Sequence, residues 1–354
     1  MDLSGHRVLV TGAYGLIGSW LVRRLLDLDA NICVMRRDQP FRSALVTMGL
    51  QQRVDVVHGD ICDEGLVART LAEYEIDSVF HLAAQTIVGS ASRAPVATFE
   101  SNVRGTWRVL EACRHCGVER LIVASSDKAY GASRYLPYRE ESALEPRHPY
   151  EVSKAAADLL ARSYWHAWGL PVAVTRFANV YGGGDAHLSR LVPETVTAAV
   201  CGRQPVLRSD GSPERDFLYV EDAIAAYVAI WDALGRDRPA AGEAFNAGGG
   251  RPHRVREVVE LICVLAGTGV EADIRGRGTP EGEIDRQWVD YSKLQAMTGW
   301  EPRVDLEEGL RRTIEWYRGH PEWLPGSGAA ATVVSFAAGG RTRHGSGAAR
   351  QSRP

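Results

Sequence analysis

Along the first half of the chain, apolar residues form short unbroken runs, separated by stretches in which they recur every three or four positions. The run RVLVT at 7–11 has the length and branched content of a buried strand, and the stretch after it sets Ile17, Leu21, Leu25 and Leu28 on one helical stripe. Strand-like runs return as NICVMR from position 31, VDVVHG at 54–59, DSVFHLA at 77–83, RLIVAS at 120–125 and VAVTRFA at 172–178, with helical segments between them. This alternation predicts an α/β fold built on a doubly wound parallel sheet with right-handed crossovers. After Gly182-Gly183-Gly184 the rhythm breaks into short mixed segments, which predicts a smaller carboxyl-terminal lobe over the carboxyl ends of the strands. A ligand cleft belongs between the two. The expected boundaries are 1–182 for the sheet domain, 183–324 for the smaller lobe, and 325–354 for a disordered tail rich in Gly, Ala and Ser.

The first chemistry sits where the first strand meets the first helix, at Gly12-Ala13-Tyr14-Gly15-Leu16-Ile17-Gly18. Gly12 permits a tight turn, Gly15 lets backbone approach a pyrophosphate, and Gly18 lets helix and strand pack closely, while the helix start offers unpaired N–H groups to the anion. Gly12, Tyr14, Gly15, Leu16, Ile17 and Gly18 are therefore candidate contacts for a dinucleotide in a Rossmann-type domain. The end of the second strand should then name the dinucleotide. An Asp or Glu there would accept hydrogen bonds from ribose hydroxyls; this chain has Arg36 and Arg37, with Asp38 just beyond. Two guanidiniums suit a 2'-phosphate and lean toward NADP, and as solvated surface residues they would decide nothing.

Tyr150 and Lys154 in PYEVSK are four residues apart, so one helix face carries both, and an ammonium near the phenol favours its deprotonation. A phenol so activated is a usable base. Ser125-Ser126-Asp127-Lys128 stands upstream.

Composition narrows the class. The chain has 354 residues, 45% of them hydrophobic, enough for a large core. Its net charge is -3, and with the tail's four arginines set aside 37 basic residues face 44 acidic ones, a body near -7 that argues against a nucleic-acid binder. No window approaches the roughly 18 apolar residues of a membrane span, and Met1-Asp2-Leu3-Ser4 is no signal peptide, so a cytoplasmic location is expected. Six cysteines suggest reduced thiols; Cys113 and Cys116 flank His115 in a CxxC without a second ligand pair, so they read as packing residues and no metal is expected.

The GxxGxxG turn with the downstream YxxxK resembles the extended short-chain dehydrogenase/reductase family of nucleotide-sugar enzymes, from about residue 5 to about residue 320. Further segments match what that family carries: Gly59-Asp60-Ile61, where Asp60 meets the adenine; His81-Leu82-Ala83-Ala84; Asn102 in SNVRGT; Asn179 in RFANVYG; Arg215 in RDFLYVEDA; and TGWEP. Within the family, ASSDKAYG, RHPYEVSK and NVYGGGD look most like the CDP-glucose 4,6-dehydratases. The resemblance implies NAD, against the lean to NADP from Arg36 and Arg37. It adds Asp60, Ile61, Leu82, Ala83 and Ala84 to the cofactor contacts, together with Tyr150 and Lys154, and it implies a homodimer formed through helices over 102–116 and 150–168. Trp107, Tyr164, Trp165 and Trp168 would supply that interface.

The resemblance also implies roles. Tyr150 takes a proton from a sugar hydroxyl as hydride leaves that carbon, Lys154 lowers the phenol and holds the nicotinamide ribose, and Ser126 bonds the reacting oxygen. Asn179 and Arg215 match positions that hold the substrate's diphosphate, Arg190 assists them, and Asn102, counted with the substrate contacts, resembles the residue that helps position the Tyr-Lys pair. A 4-epimerase needs little more, whereas a 4,6-dehydratase needs a base at C5 and an acid at C6. Asp127 and Lys128 fill the places where related dehydratases carry ionisable pairs, Asp127 as the C6 acid and Lys128 as the candidate at C5, a base only if neutral. The expected function is therefore a nucleotide-sugar 4,6-dehydratase, ahead of a 4-epimerase and of a catalytically silent nucleotide-binding protein.

Overall fold

A computed structural model describes residues 2–63, 65–235, 239–278 and 284–325, so the expected tail lies outside the described residues except for Pro325. The strands are β1 (Arg7–Thr11), β2 (Asn31–Arg36), β3 (Asp55–His58), β4 (Ser78–His81), β5 (Arg120–Ala124) and β6 (Val172–Phe177), followed by β7 (Asn179–Tyr181), β8 (Val206–Leu207), β9 (Glu214–Tyr219), β10 (Ala244–Ala247), β11 (Pro252–Arg254), β12 (Asp273–Ile274) and β13 (Arg286–Gln287). Between them run α1 (Leu16–Leu26), α2 (Ala44–Thr47), α3 (Leu66–Glu73), α4 (Val88–Arg93), α5 (Pro95–Phe99), α6 (Gly105–Cys116) and α7 (Pro149–Trp168). The later helices are α8 (Leu191–Val200), α9 (Val220–Gly235), α10 (Val255–Ala266), α11 (Ser292–Thr298) and α12 (Leu306–Gly319).

Seven strands pair in the order β10-β6-β5-β4-β1-β2-β3, every pair parallel. Because successive side chains point to opposite faces, Val8 and Val10 of β1 join one core cluster with Leu21 and Leu25 of α1 and Ile224 and Tyr227 of α9. Leu9 joins the other, with Leu71 of α3, Val109 and Leu110 of α6, and Ala161 of α7. Burial on both faces explains why these strands read as continuous apolar runs rather than alternating ones. The strand order reverses between β1 and β4, so their carboxyl ends open the crevice where such sheets bind ligands.

The residues after 178 build smaller sheets, β11-β9-β13 with β7 beside β9, and β12 beside β8. The chain then returns to the large sheet. Strand β10 adds to the edge at β6, and α9 packs on β5 and β6, so sheet and lobe are interleaved along the sequence beyond residue 182. AFNA is too short and too plain for periodicity to have revealed it.

Helix α7 shows why the Tyr-Lys pair stands where it does. Pro149 occupies its first turn, and the Glu151 carboxylate accepts from the backbone N–H of Arg147 and His148, which stops the chain from continuing the helix backwards. Gly169, at φ +69°, ends it. Cys113 is buried in α6 and the Cys116 thiol lies against the Ala68 carbonyl; among the described residues no cluster of metal-ligating side chains occurs, and no helix is long and apolar enough to cross a membrane.

Candidate active site

The glycine turn is shaped by close backbone contact. Gly12 has φ +73°, and a Cβ there would lie 2.7 Å from the Ala83 nitrogen and the Leu82 carbonyl carbon. At Gly18 a Cβ would lie 2.3 Å from the Gly12 oxygen, so the first turn of α1 is pressed onto the end of β1. That turn has no acidic residue and no side-chain cap, which leaves its leading N–H groups for an anionic ligand. Leu82 and Ala83 are fixed by the Thr11 backbone oxygen and hydroxyl, so the loop after β4 forms the opposite wall. A dinucleotide's pyrophosphate fits this cradle. Ile61 is buried under Gly105 at the start of α6, and Asp60 bonds the Cys62 N–H at the rim.

The arginines of the second strand are not equivalent. Arg37 bonds Asp38 at 2.6 Å and lies 3.9 Å from Asp60, so two carboxylates balance its charge. Arg36, the last residue of β2, contacts the His58 ring and sits 5.9 Å above the ring of Tyr14, beside the glycine turn. Arg36 is thus the guanidinium with a charge to offer at the nucleotide end of the cradle.

Asn102, buried in the π turn Glu100–Arg104, bonds the N–H of Gln85 at 2.7 Å through Oδ1 and donates through Nδ2 to the Gln85 carbonyl and to Ser153 Oγ, both at 2.9 Å. Ser153 in turn donates to the Tyr150 carbonyl. Both ends of this amide are engaged inside the protein, tying the loop after β4 to α7, the helix that carries Tyr150 and Lys154.

Tyr150 and Lys154 share a face of α7 and are both buried, but the pair does not interact as the spacing predicted. Lys154 Nζ donates to the Ala124 carbonyl at 2.7 Å, and burial pulls its pKa down to about 8. Burial pushes the Tyr150 phenol up to about 12; the Arg190 guanidinium and a hydrogen bond with Ser126 draw it back, and the Asp127 carboxyl opposes them. Among the charges around it, the Arg190 guanidinium is the one that draws the phenol down. Helical spacing brought two side chains to one face without setting where the ammonium points.

Arg190 is held for that role by Asp185 Oδ2 at 3.0 Å and by Thr86 Oγ1 at 2.7 Å, the latter in the loop after β4. Neither partner carried a sequence signal, because each is defined only by contact. The charge of Arg190, expected to assist at the diphosphate, also acts on the phenol.

Ser126, Asp127 and Lys128 lie at the carboxyl end of β5, with Ser126 capping the 3₁₀ turn Asp127–Tyr130. Asp127 is 2% exposed, its Oδ1 accepts from the Ser126 hydroxyl at 3.0 Å, and Oδ2 is buried with no partner among the described residues. Burial raises its pKa, and the charges of Lys128 and Arg215 reduce the rise. A shift in this direction favours the protonated carboxyl, the form that can donate a proton. Asp216, fully buried beside it, is raised to about 7, chiefly by burial, against hydrogen bonds from the backbone N–H of Gly249 and Val289. Lys128 Nζ donates to Gln287 Oε1 at 3.2 Å.

Asn179 donates to the Asp216 carbonyl, and Arg215 donates to the carbonyls of Glu214 and Asp285. Both stand on the strand pair β7-β9, which faces the crevice from the smaller lobe and brings the Arg215 charge to bear on Asp127.

The sequence profile of the GDP-mannose 4,6 dehydratase family matches residues 9–313. The chain is 32% identical over 338 residues to the dTDP-D-glucose 4,6-dehydratase of Bos taurus, covering 90% of each. It is 32% identical over 324 residues to a trifunctional UDP-glucose 4,6-dehydratase/UDP-4-keto-6-deoxy-D-glucose 3,5-epimerase/UDP-4-keto-L-rhamnose-reductase of Arabidopsis thaliana, covering 89% of this chain and 48% of that one. The chain therefore spans about half the length of such plant relatives. Among solved structures, the dTDP-glucose 4,6-dehydratase of Streptomyces venezuelae with NAD bound superposes at a TM-score of 0.81 with 33% identity, covering 90% of this chain and 99% of that one. The UDP-glucose 4-epimerase of Thermotoga maritima, with UDP-glucose, superposes at 0.82 with 28% identity, covering 88% and 99%.

The placement of Arg190 has a measurable consequence. A nearby positive charge favours phenolate over phenol, so removing it in Arg190→Gln should raise the Tyr150 pKa and move the limb of the pH–rate profile that reports phenolate formation to higher pH. The limb should stay in place in Thr86→Val if Asp185 alone keeps the guanidinium there. Turnover measured against pH checks this, and an unmoved limb in Arg190→Gln removes Arg190 from the phenol's environment.

Proposed function

This chain belongs to the GDP-mannose 4,6 dehydratase family, and from that premise we propose that it is an NAD(P)-dependent nucleotide-sugar 4,6-dehydratase, a lyase that turns a nucleoside diphosphate hexose into its 4-keto-6-deoxy product. CDP-glucose is the first substrate to test, on the strength of ASSDKAYG, RHPYEVSK and NVYGGGD. The observation that carries the reading is the pair of ionisable side chains directly after Ser126, one of them a buried carboxyl with its pKa raised.

Gly12, Gly15 and Gly18, the first turn of α1, and Leu82–Ala84 would hold the cofactor, which when bound accepts hydride from C4 and returns it at C6. Tyr150 takes the proton of the C4 hydroxyl, and the Ser126 hydroxyl bonds the same oxygen. The ketone so formed acidifies the C5 proton. Lys128, in its neutral form, takes that proton, and Asp127 gives its own to the C6 hydroxyl, which departs as water; Lys128 then returns a proton to C5 as hydride arrives at C6. The raised pKa of Asp127 suits this donation, because a carboxyl ionised at neutral pH has no proton to give. Asn179 and Arg215 face the diphosphate from the smaller lobe.

A 4-epimerase is the second reading, favoured by the equally close superposition on the Thermotoga maritima enzyme. An epimerase would use Tyr150, Ser126 and Lys154 and have no work for Asp127 or Lys128. On the cofactor, we assign the 2'-phosphate of NADP to Arg36 alone, since Arg37 is balanced by Asp38 and Asp60. We further propose a homodimer through α6 and α7. Trp107 and Trp168 leave 43% and 57% of their surface exposed, as Leu159 leaves 57%, and such apolar area favours association. Trp165 contributes nothing there, because it packs into the core against Gly242; Tyr164 packs on Trp168 and bonds Glu111.

Sedimentation at micromolar concentration should give a dimer for the wild type and a monomer for Leu159→Arg, and a wild-type monomer would refute the interface. Calorimetry should find tighter binding of NADP than of NAD, with the difference erased in Arg36→Ala; a preference unchanged by the substitution would sink that assignment. The catalytic assignment is tested by offering CDP-, dTDP-, UDP- and GDP-hexoses and reading product masses, since dehydration removes one water and epimerisation none. Tyr150→Phe should abolish both reduced cofactor and product. Asp127→Asn and Lys128→Ala should still reduce cofactor transiently while product formation falls by about 100-fold or more. In deuterated solvent the wild-type product should carry deuterium at C5. Unchanged mass with no deuterium at C5 would give first place to the epimerase.

A further inference from the structure

Gln287 is a strongly buried side chain of the smaller lobe that meets one of the proposed reacting groups and has no place among the roles assigned so far. Its strand β13 is held from two sides: Arg286 and Gln287 pair in register with Glu214 and Arg215 of β9, and the backbone just beyond exchanges hydrogen bonds with Tyr138 through the Trp288 carbonyl and the Asp290 N–H. The side chain is fully buried. Its Oε1 accepts from Lys128 Nζ at 3.2 Å, across 159 residues of chain, while Nε2 is buried without a partner among the described residues. In a merely structural place both ends of a buried amide are normally satisfied, or an apolar residue of the same volume serves better. Here one end is committed to Lys128 and the other is a buried donor with no partner among the described residues.

We propose that Gln287 is the positioning residue of Lys128, fixing its nitrogen against the sugar during elimination across C5 and C6; this rests on the dehydratase reading above. A lysine on a four-carbon stem has many rotamers, and its nitrogen serves as a C5 base only when its lone pair is aimed at that carbon. One N–H committed to a rigid amide oxygen takes away much of that freedom. Because Tyr150 and Ser126 have no hydrogen bond to Gln287, the effect belongs to elimination and not to oxidation at C4.

The test separates those two steps in the full-length protein supplied with cofactor, with CDP-glucose and dTDP-glucose offered separately. In Gln287→Leu, transient reduction of the cofactor should stay within about twofold of wild type while release of dehydrated sugar and deuterium entry at C5 fall by about 100-fold, the phenotype of Lys128→Ala. Gln287→Glu keeps the acceptor oxygen, but its carboxylate favours the ammonium over the neutral amine, so its recovery, at least about tenfold over Gln287→Leu, should appear toward higher pH, where Lys128 loses its proton. Should the leucine variant fail to fold by circular dichroism, Gln287→Met carries the same expectation. Dehydration as fast in the leucine variant as in wild type overturns the proposal, and so does equal loss of oxidation and elimination with no recovery by glutamate, which would mark Gln287 as structural. Wild-type protein that leaves every hexose mass unchanged overturns instead the dehydratase reading itself.

Discussion

The buried carboxamide of Asn102 makes three hydrogen bonds, and through them the loop after β4 and the first turn of α7 are held at one fixed separation. The rest of the site is referred to that separation. The loop supplies the wall against Gly12 and, at Thr86, the anchor of Arg190; the helix supplies Tyr150 and Lys154. Were Asn102 replaced by an apolar residue, the Gln85 backbone and Ser153 would each lose a partner in a place water does not readily reach, at about 1–3 kcal/mol per group. His81 continues the same tie, its ring bridging Thr11 at the end of β1 and Thr106 in α6, with burial holding it neutral well below the usual histidine range.

Burial then decides the protonation of everything around the reacting carbons. Taking a charge out of water disfavours it, so the phenol rises, the carboxyls of Asp127 and Asp216 rise, and the Lys154 ammonium falls. The pocket therefore holds its protons on the acids and loosely on the lysine. A carboxyl whose proton is held more tightly and a phenol drawn down by a nearby cation are what the proposed chemistry asks for, and burial in one crevice favours both. Arg190 sits on the phenol's side of it and Arg215 on the carboxyl's, so each acid has its own counter-charge.

What could be read in the sequence was local. The glycine turn, the YxxxK helix and each of the strands up to β6 are written in fewer than about twenty consecutive residues, where spacing translates directly into geometry. What could not be read was long-range. Arg37 is balanced by Asp60, Arg190 is held by Thr86 from 104 residues away, and Lys128 meets Gln287 across 159. The tilt of Lys154 toward the Ala124 carbonyl belongs to the same class, because the rotamer of a long side chain follows from what it packs against. Strand β10 was missed for a related reason: four residues, AFNA, acquire strand character only beside β6.

The fold cannot separate the two chemistries, since a dehydratase and an epimerase superpose on this chain at TM-scores of 0.81 and 0.82. Only side chains can, and their energetics point one way. A carboxyl buried with one oxygen unpartnered, beside a second buried carboxyl, costs the protein stability that a serine or alanine at the same place would not. An amide buried with its N–H₂ group unpartnered adds to that cost. Such groups persist where they perform work that the folded state alone does not reward. Reversible oxidation at C4 gives them none, because Tyr150, Ser126 and Lys154 suffice for it. Removing a proton from C5 and a hydroxyl from C6 requires a proton acceptor and a proton donor on that side of the sugar, the two roles proposed for Lys128 and Asp127.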